Sequence, residues 1–97
     1  MPPYITLWQF TEQGAASIRD SPDRIDRIEE QFEDLGGELK SFYMLMGQYD
    51  TITISEFPDD ETAAQAVLSV TEAGNVSSET LRAFDRDATR EVLESMP

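Results

Sequence analysis

The chain has neither cysteine nor histidine, one lysine (Lys40) and one tryptophan (Trp8) among its 97 residues. Without cysteine there is no disulfide framework, thiolate nucleophile or zinc ribbon, and without histidine no imidazole base or ligand. Catalytic triads and metal hydrolases fall together, and neither a metal nor a cofactor is expected. No apolar run approaches the ~20 residues of a membrane span. Positive charge is scarce: 7 basic residues stand against 20 acidic ones, for a net charge of -13. Such a surface repels phosphate backbones and anionic lipid heads, which argues against nucleic-acid and membrane partners. The acid-rich, lysine-poor balance suits a cytosol at very high salt, where screening shortens to about 3 Å near 1 M; we expect a halophilic source. The opening Met1-Pro2-Pro3-Tyr4 lacks a basic n-region and an apolar segment, so the expected location is cytoplasmic. The length suits one domain, 1–97, burying about 60–70% of its unfolded surface.

Residues 4–10 alternate Ile5 and Leu7 with Tyr4, Thr6 and Trp8, the period of a strand. A turn capped by Thr11 is followed by Ser21-Pro22, an N-cap with proline at the first helical position. Ile25, Ile28, Phe32 and Leu35 form one helical stripe, and Gly36-Gly37 supplies a left-handed stop. Residues 38–46 carry apolar groups on both faces, so Phe42/Met44 and Tyr43/Leu45 are both plausible core faces. Gly47 to Asp50 turns the chain into a third strand, 51–57, with Ile52 and Ile54 on one face. Pro58-Asp59-Asp60 caps a second helix with a stripe of Ala63, Ala64, Val67 and Leu68, ended by Gly74-Asn75. A fourth strand, 77–84, precedes a short helix capped by Asp85.

The order β-α-β-β-α-β plus a C-terminal helix predicts an α+β, ferredoxin-like fold with a four-stranded antiparallel sheet. Both helices cover one face, and the other is left bare. We expect Ile5 and Leu7 under the helices, and Trp8, Tyr43 or Phe42, Leu45 or Met44, and Phe84 on the bare face. That face is more apolar than a monomer exposes, so a second copy should cover it, giving a dimeric α+β barrel. Thr6, Thr51, Thr53 and Ser55 would then line a cleft between the paired sheets that holds a small organic ligand.

Pro3-Tyr4-Ile5-Thr6-Leu7-Trp8, Thr11-Glu12-Gln13-Gly14, Ser21-Pro22-Asp23-Arg24, Gly36-Gly37, Phe42-Tyr43, Gly47-Gln48-Tyr49-Asp50, Pro58-Asp59-Asp60-Glu61 and Gly74-Asn75-Val76 through Arg82-Ala83-Phe84 together resemble the GYD domain family. Its name element stands here as Gly47, Tyr49 and Asp50. The resemblance implies a small dimeric ferredoxin-like domain and carries no established activity with it. The Gly-x-Tyr-Asp element is also similar to that of the effector-binding domain of leucine-responsive transcription regulators. That likeness implies amino-acid sensing and oligomers beyond the dimer; without a helix-turn-helix it points to a stand-alone sensing module.

The candidate ligand-binding residues are Trp8, Tyr43, Tyr49, Asp50 and Arg82. Trp8 and Tyr43 offer stacking surfaces, or the core of a dimer. Arg82 offers a bidentate clamp for a carboxylate, or an ion pair with one of the many acids. Tyr49 packs at a strand edge, and Asp50 either satisfies turn amides or serves as a base in a desolvated cleft. Gly47, Gly74 and Asn75 read as structural, with Gly47 expected at a positive φ or a bulge. The favoured function is a homodimeric small-molecule-binding or regulatory module. The alternatives are a metal-free enzyme of cofactor-independent oxygenase or isomerase type with Asp50 as base, and a purely structural oligomerisation domain.

Overall fold

In the computed structural model, which describes residues 1–97, alternation builds β1 (Pro3–Phe10), and Thr11 caps a short helix α1 (Glu12–Ala16) by accepting a bond from the Gly14 amide. A 3₁₀ turn at Ile18–Asp20 leads into α2 (Ser21–Asp34), with proline in its first turn. Beyond it lie β2 (Glu38–Met44), β3 (Thr51–Glu56), α3 (Asp60–Glu72), β4 (Val76–Arg82) and α4 (Arg86–Glu94). The strands lie in the order β2-β3-β1-β4, each antiparallel to its neighbour. This is the ferredoxin-like arrangement expected from the order of elements.

Local chemistry sets the boundaries. Asp59 and Asp85 cap α3 and α4, their carboxylates each accepting from a backbone amide three residues on at 2.8 Å. The Asp59 carboxyl is held below the usual carboxylate range, first by the Thr62 hydroxyl and then by the Thr62 amide. Gly36, at φ +82°, makes the left-handed stop after α2, and Gly37 lies so close to the Phe57 ring that a Cβ would stand 2.4 Å from it. Gly74 ends α3 at φ +86°. Gly47 departs from expectation: its φ is not positive and its Cβ position is open, so the hairpin turns there without needing a glycine.

The bulge that the strands do contain falls between Leu39 and Ser41. Leu39 and Phe42 are three residues apart and would point to opposite faces in a regular strand. The extra residue, Lys40, brings both to the helix side and resolves the ambiguous phase of β2.

The helices cover the face opposite to the expected one. Tyr4, Thr6 and Trp8 of β1 and Thr53 and Ser55 of β3 are buried beneath them, while Ile5, Leu7, Ile52 and Ile54 point to the bare side. Phe57 packs edge-on against both Phe32 of α2, at 5.0 Å between ring centroids, and Tyr4, at 5.9 Å. The α3 stripe is Ala63, Ala66, Val67 and Val70, not the predicted set: Leu68 is 65% exposed and Ala64 is exposed too. Both sets fit a helical period; the observed one puts two alanines against the rings, whose bulk fills the gap that small residues leave.

A second knot is polar. Thr11 donates its amide to Asn75 O at 3.0 Å and its hydroxyl to Gly74 O at 2.6 Å, and Gln13 Nε2 donates to Ala73 O and Asn75 Oδ1. A Cβ on Gly14 would stand 1.9 Å from Asn75 O. These bonds tie the end of β1 to the start of β4 through Gly74 and Asn75.

Gly14→Ala is expected to cost about 2–3 kcal/mol in urea denaturation, because the contact it creates is with backbone; Gly47→Ala should stay within about 0.5 kcal/mol. The Tyr4 hydroxyl, desolvated by burial and donating to Asp60 Oδ1 at 2.5 Å, has its pKa raised from 10.0 to about 12. The folded state therefore holds this proton after the unfolded chain has released it. The Tyr4 contribution to stability is complete below pH 10 and is lost between pH 10 and 12. Tyr4→Phe should lower stability by about 1 kcal/mol at pH 8 and flatten its decline above pH 10, read from urea melts across that range.

Candidate functional site

Of the hydroxyl and aromatic side chains expected between two sheets, Trp8, Phe42, Thr51 and Thr53 line instead a pocket between the sheet and α2 of a single chain. Trp8, 4% exposed, forms part of the floor, and its Nε1 donates to Thr53 Oγ1 at 3.0 Å. Phe42 stands opposite Thr53 on β2, and Thr51 opposite Trp8, so one patch of three strands presents rings and hydroxyls together. The first two turns of α2 supply the roof through Arg24, Ile25 and Ile28. The pocket, partly open to solvent, has a volume of about 340 Å³. It lies within the range of small-molecule sites and is lined almost wholly by carbon.

Arg24 is the one charged residue among the 14 that line this cavity. Its Nη1 donates to Ser17 Oγ at 3.2 Å and its Nη2 to Ser21 Oγ at 3.1 Å. Ser17 donates its own hydroxyl proton to Gln13 O at 3.0 Å, which leaves its lone pairs for Arg24. The arrangement offers mostly apolar contact, with a small polar portion where Arg24 and the hydroxyls join the lining, which suits binding and orientation. The signal for it in the sequence was the placement of Arg24 beside Ile25 and ahead of Ile28 on the apolar side of α2. Neither it nor the three residues with it, Ile25, Ile28 and Phe42, entered the expected ligand set.

The five residues expected to form a ligand site do not converge. Trp8 points into the helix-covered side, contrary to its expected place on the bare face. Tyr43, 60% exposed, is on the bare face opposite Ile52. Tyr49 reaches from the hairpin to donate to Glu79 Oε2 on β4; that hydrogen bond, ahead of desolvation, raises its pKa above the ordinary value. Asp50 uses its carboxylate to bond a strand amide of β1 rather than the turn amides expected of it. Its Oδ2 accepts from the Phe10 amide at 2.7 Å, its own amide donates to Trp8 O, and its carbonyl accepts from Leu45, both at 2.8 Å. Arg82 makes no ion pair, contrary to the weight of nearby acids. Its guanidinium lies over Phe84 at 4.4 Å, is 5.9 Å from the Tyr4 ring centre, and donates to Ala83 O.

No helix is long and apolar enough to cross a membrane. Met44 and Ile18, 76% and 49% exposed, flank the cavity, while Met46, Leu81, Phe84, Val92 and Leu93 are exposed elsewhere. The last two lie on α4, which makes no extensive contact with any other element and contains no buried residue.

No solved structure matches the chain. It is 33% identical over 85 residues, 87% of this chain and 90% of the other, to the glutamine synthetase and cystathionine beta-lyase binding protein of Thermus thermophilus. The model of the GYD domain matches residues 4–93, in keeping with the motifs from Tyr4 onward, and the chain belongs to the GYD domain family.

Proposed function

We propose that this chain is a non-catalytic binding module that dimerises through its bare sheet face and attaches to an enzyme of amino-acid metabolism. One observation carries the dimer. The chain exposes 6623 Å², whereas a compact monomer of 10.9 kDa exposes about 5,600 Å². The excess, about 1,000 Å², matches what one partner buries in a stable interface. The radius of gyration, 14.6 Å, likewise exceeds the ~12.5 Å of a compact domain of this length. The surplus fits the two unpartnered apolar surfaces, the bare face and α4.

Ile5, Leu7, Ile52, Ile54 and Leu81 pair across β1, β3 and β4 into an aliphatic patch, bordered by Tyr43 and by Glu79 with its Tyr49 bond. Two such faces pack as dry sheets under a two-fold axis. The interface so formed is aliphatic and leaves the helix side of each chain free. The enzyme partner is proposed from the name of the Thermus relative, which covers most of both chains. A negative charge of 13 per copy opposes association at low salt, and screening weakens that opposition.

Light scattering with size-exclusion chromatography should give a dimer or a multiple of it in 1 M salt. Leu7→Lys or Ile52→Lys should raise the dimer dissociation constant at least about 100-fold while leaving the circular dichroism unchanged. A wild-type monomer would refute the interface. Biolayer interferometry against purified glutamine synthetase and cystathionine β-lyase from the same organism tests the partner. Saturable binding to either supports it, and binding to neither, with an intact dimer, removes the enzyme-binding reading alone.

A further inference from the structure

From the cavity beneath α2, we infer that each chain binds a small hydrophobic carboxylate, its apolar body against Trp8, Ile25, Ile28 and Phe42 and its carboxylate on Arg24. This goes beyond the proposed dimer and enzyme partner and depends on neither, because every residue named lies within one chain on the helix side of the sheet.

Size, charge and preorganisation lead to the same ligand class. A dry cavity of about 150 Å³ holds benzene. The 340 Å³ here takes roughly twice that, a ring with a short chain or a branched acyl group of about 10–14 heavy atoms. About one residue in five of the chain is acidic, yet none of the 14 lining residues is Asp or Glu. The cavity is thus a local exception to a surface that otherwise repels anions, and at physiological salt the distant charges are screened within about 8–10 Å.

Arg24, like the other five arginines of the chain, has no carboxylate within ion-pair distance, so its charge is not already neutralised by a partner. It is partly buried, and its two terminal nitrogens are anchored on Ser17 and Ser21. A guanidinium carries five N–H donors, so donors remain after those two bonds. A carboxylate meeting this fork forms charge-assisted bonds, stronger than those of a neutral amide of the same shape. Such a fork held in place before the ligand arrives loses little side-chain freedom on binding. The start of α2 adds a favourable field for the anion, offset in part by Asp20 at its cap and Asp23 in its first turn, so the Arg24 fork is the main source of the preference.

Trp8 is the single tryptophan and forms part of the floor, so its fluorescence reports occupancy of this cavity directly. The probes are 3-phenylpropionate and its neutral amide, titrated into the full-length chain by fluorescence and isothermal calorimetry. We expect a saturable spectral change, one acid per chain, and binding of the acid at least about tenfold tighter than that of the amide. Arg24→Gln should erase the preference for the acid while leaving the amide affinity unchanged. Ile25→Phe, which fills the cavity, should weaken both probes together; circular dichroism checks that each variant is folded. The inference is overturned if neither probe binds, if acid and amide bind equally, if Arg24→Gln keeps the preference, or if Ile25→Phe leaves both affinities intact. A failed titration alongside an intact dimer would remove the ligand and leave the interface standing.

Discussion

The edge-on packing of Phe57 between Phe32 and Tyr4 ties α2, β1 and the end of β3 into one aromatic core, and the rest of the fold depends on it. Phe32 and Phe57 are each 1% exposed, the largest side chains buried so completely. With Tyr4 turned towards the helices, a period of two sends Thr6 and Trp8 the same way and Ile5 and Leu7 the other. The small residues Ala63 and Ala66 let α3 approach over these rings. Gly37 is required by the same packing, since only a missing Cβ admits the Phe57 ring beside the backbone.

This choice of face leaves an unusual division of chemistry across the sheet. The covered side holds hydroxyls among the rings: Thr53 accepts from Trp8, Thr6 is hydrogen-bonded to Thr80 at 3.1 Å, and Ser55 is buried with no partner. The uncovered side is aliphatic. A monomer gains most by hiding aliphatic groups, so the inversion becomes sensible once a second copy covers them and the helix side is free to serve as a binding cavity. On the proposed reading the same sheet has two separate uses, self-association on one face and ligand contact on the other.

Charge is arranged to match. The acids lie mainly on the outer surfaces of the helices and at their first turns, where Asp59 and Asp85 cap amides. The bare face carries little charge near its centre beyond Glu79, which is bonded to Tyr49. No arginine forms an ion pair; Arg24 is held by serine hydroxyls and Arg82 lies over an aromatic ring. The Gly-x-Tyr-Asp element has parts of different kinds: Asp50 closes the hairpin, Tyr49 spans to β4, and Gly47 meets no constraint within one chain.

Element order, helix stops, the starts of α3 and α4, and the ferredoxin-like topology were legible in the residues because their causes are local. The expected Ser21 cap of α2 is instead the first helical residue, with Asp20 before it making no capping bond. Asp59 and Asp85 cap the helices that begin beside them, Gly36 and Gly74 stop the helices that end at them, and Ile28 and Phe32 repeat at a helical period. The phase of β2 was not legible, since the bulge at Lys40 responds to the partner strand rather than to its own sequence. Nor was the covered face of β1. Alternation divides a strand into two sides but is symmetric between them, and here one side is aliphatic and the other aromatic, so both look like core. Only the contacts of Phe32, Phe57 and the α3 alanines, each far away in sequence, break that symmetry. By itself the sequence determined the elements and their order; the tertiary structure decided which side of the sheet is inside, and with it placed the cavity at Arg24, because that choice is made by packing between distant segments.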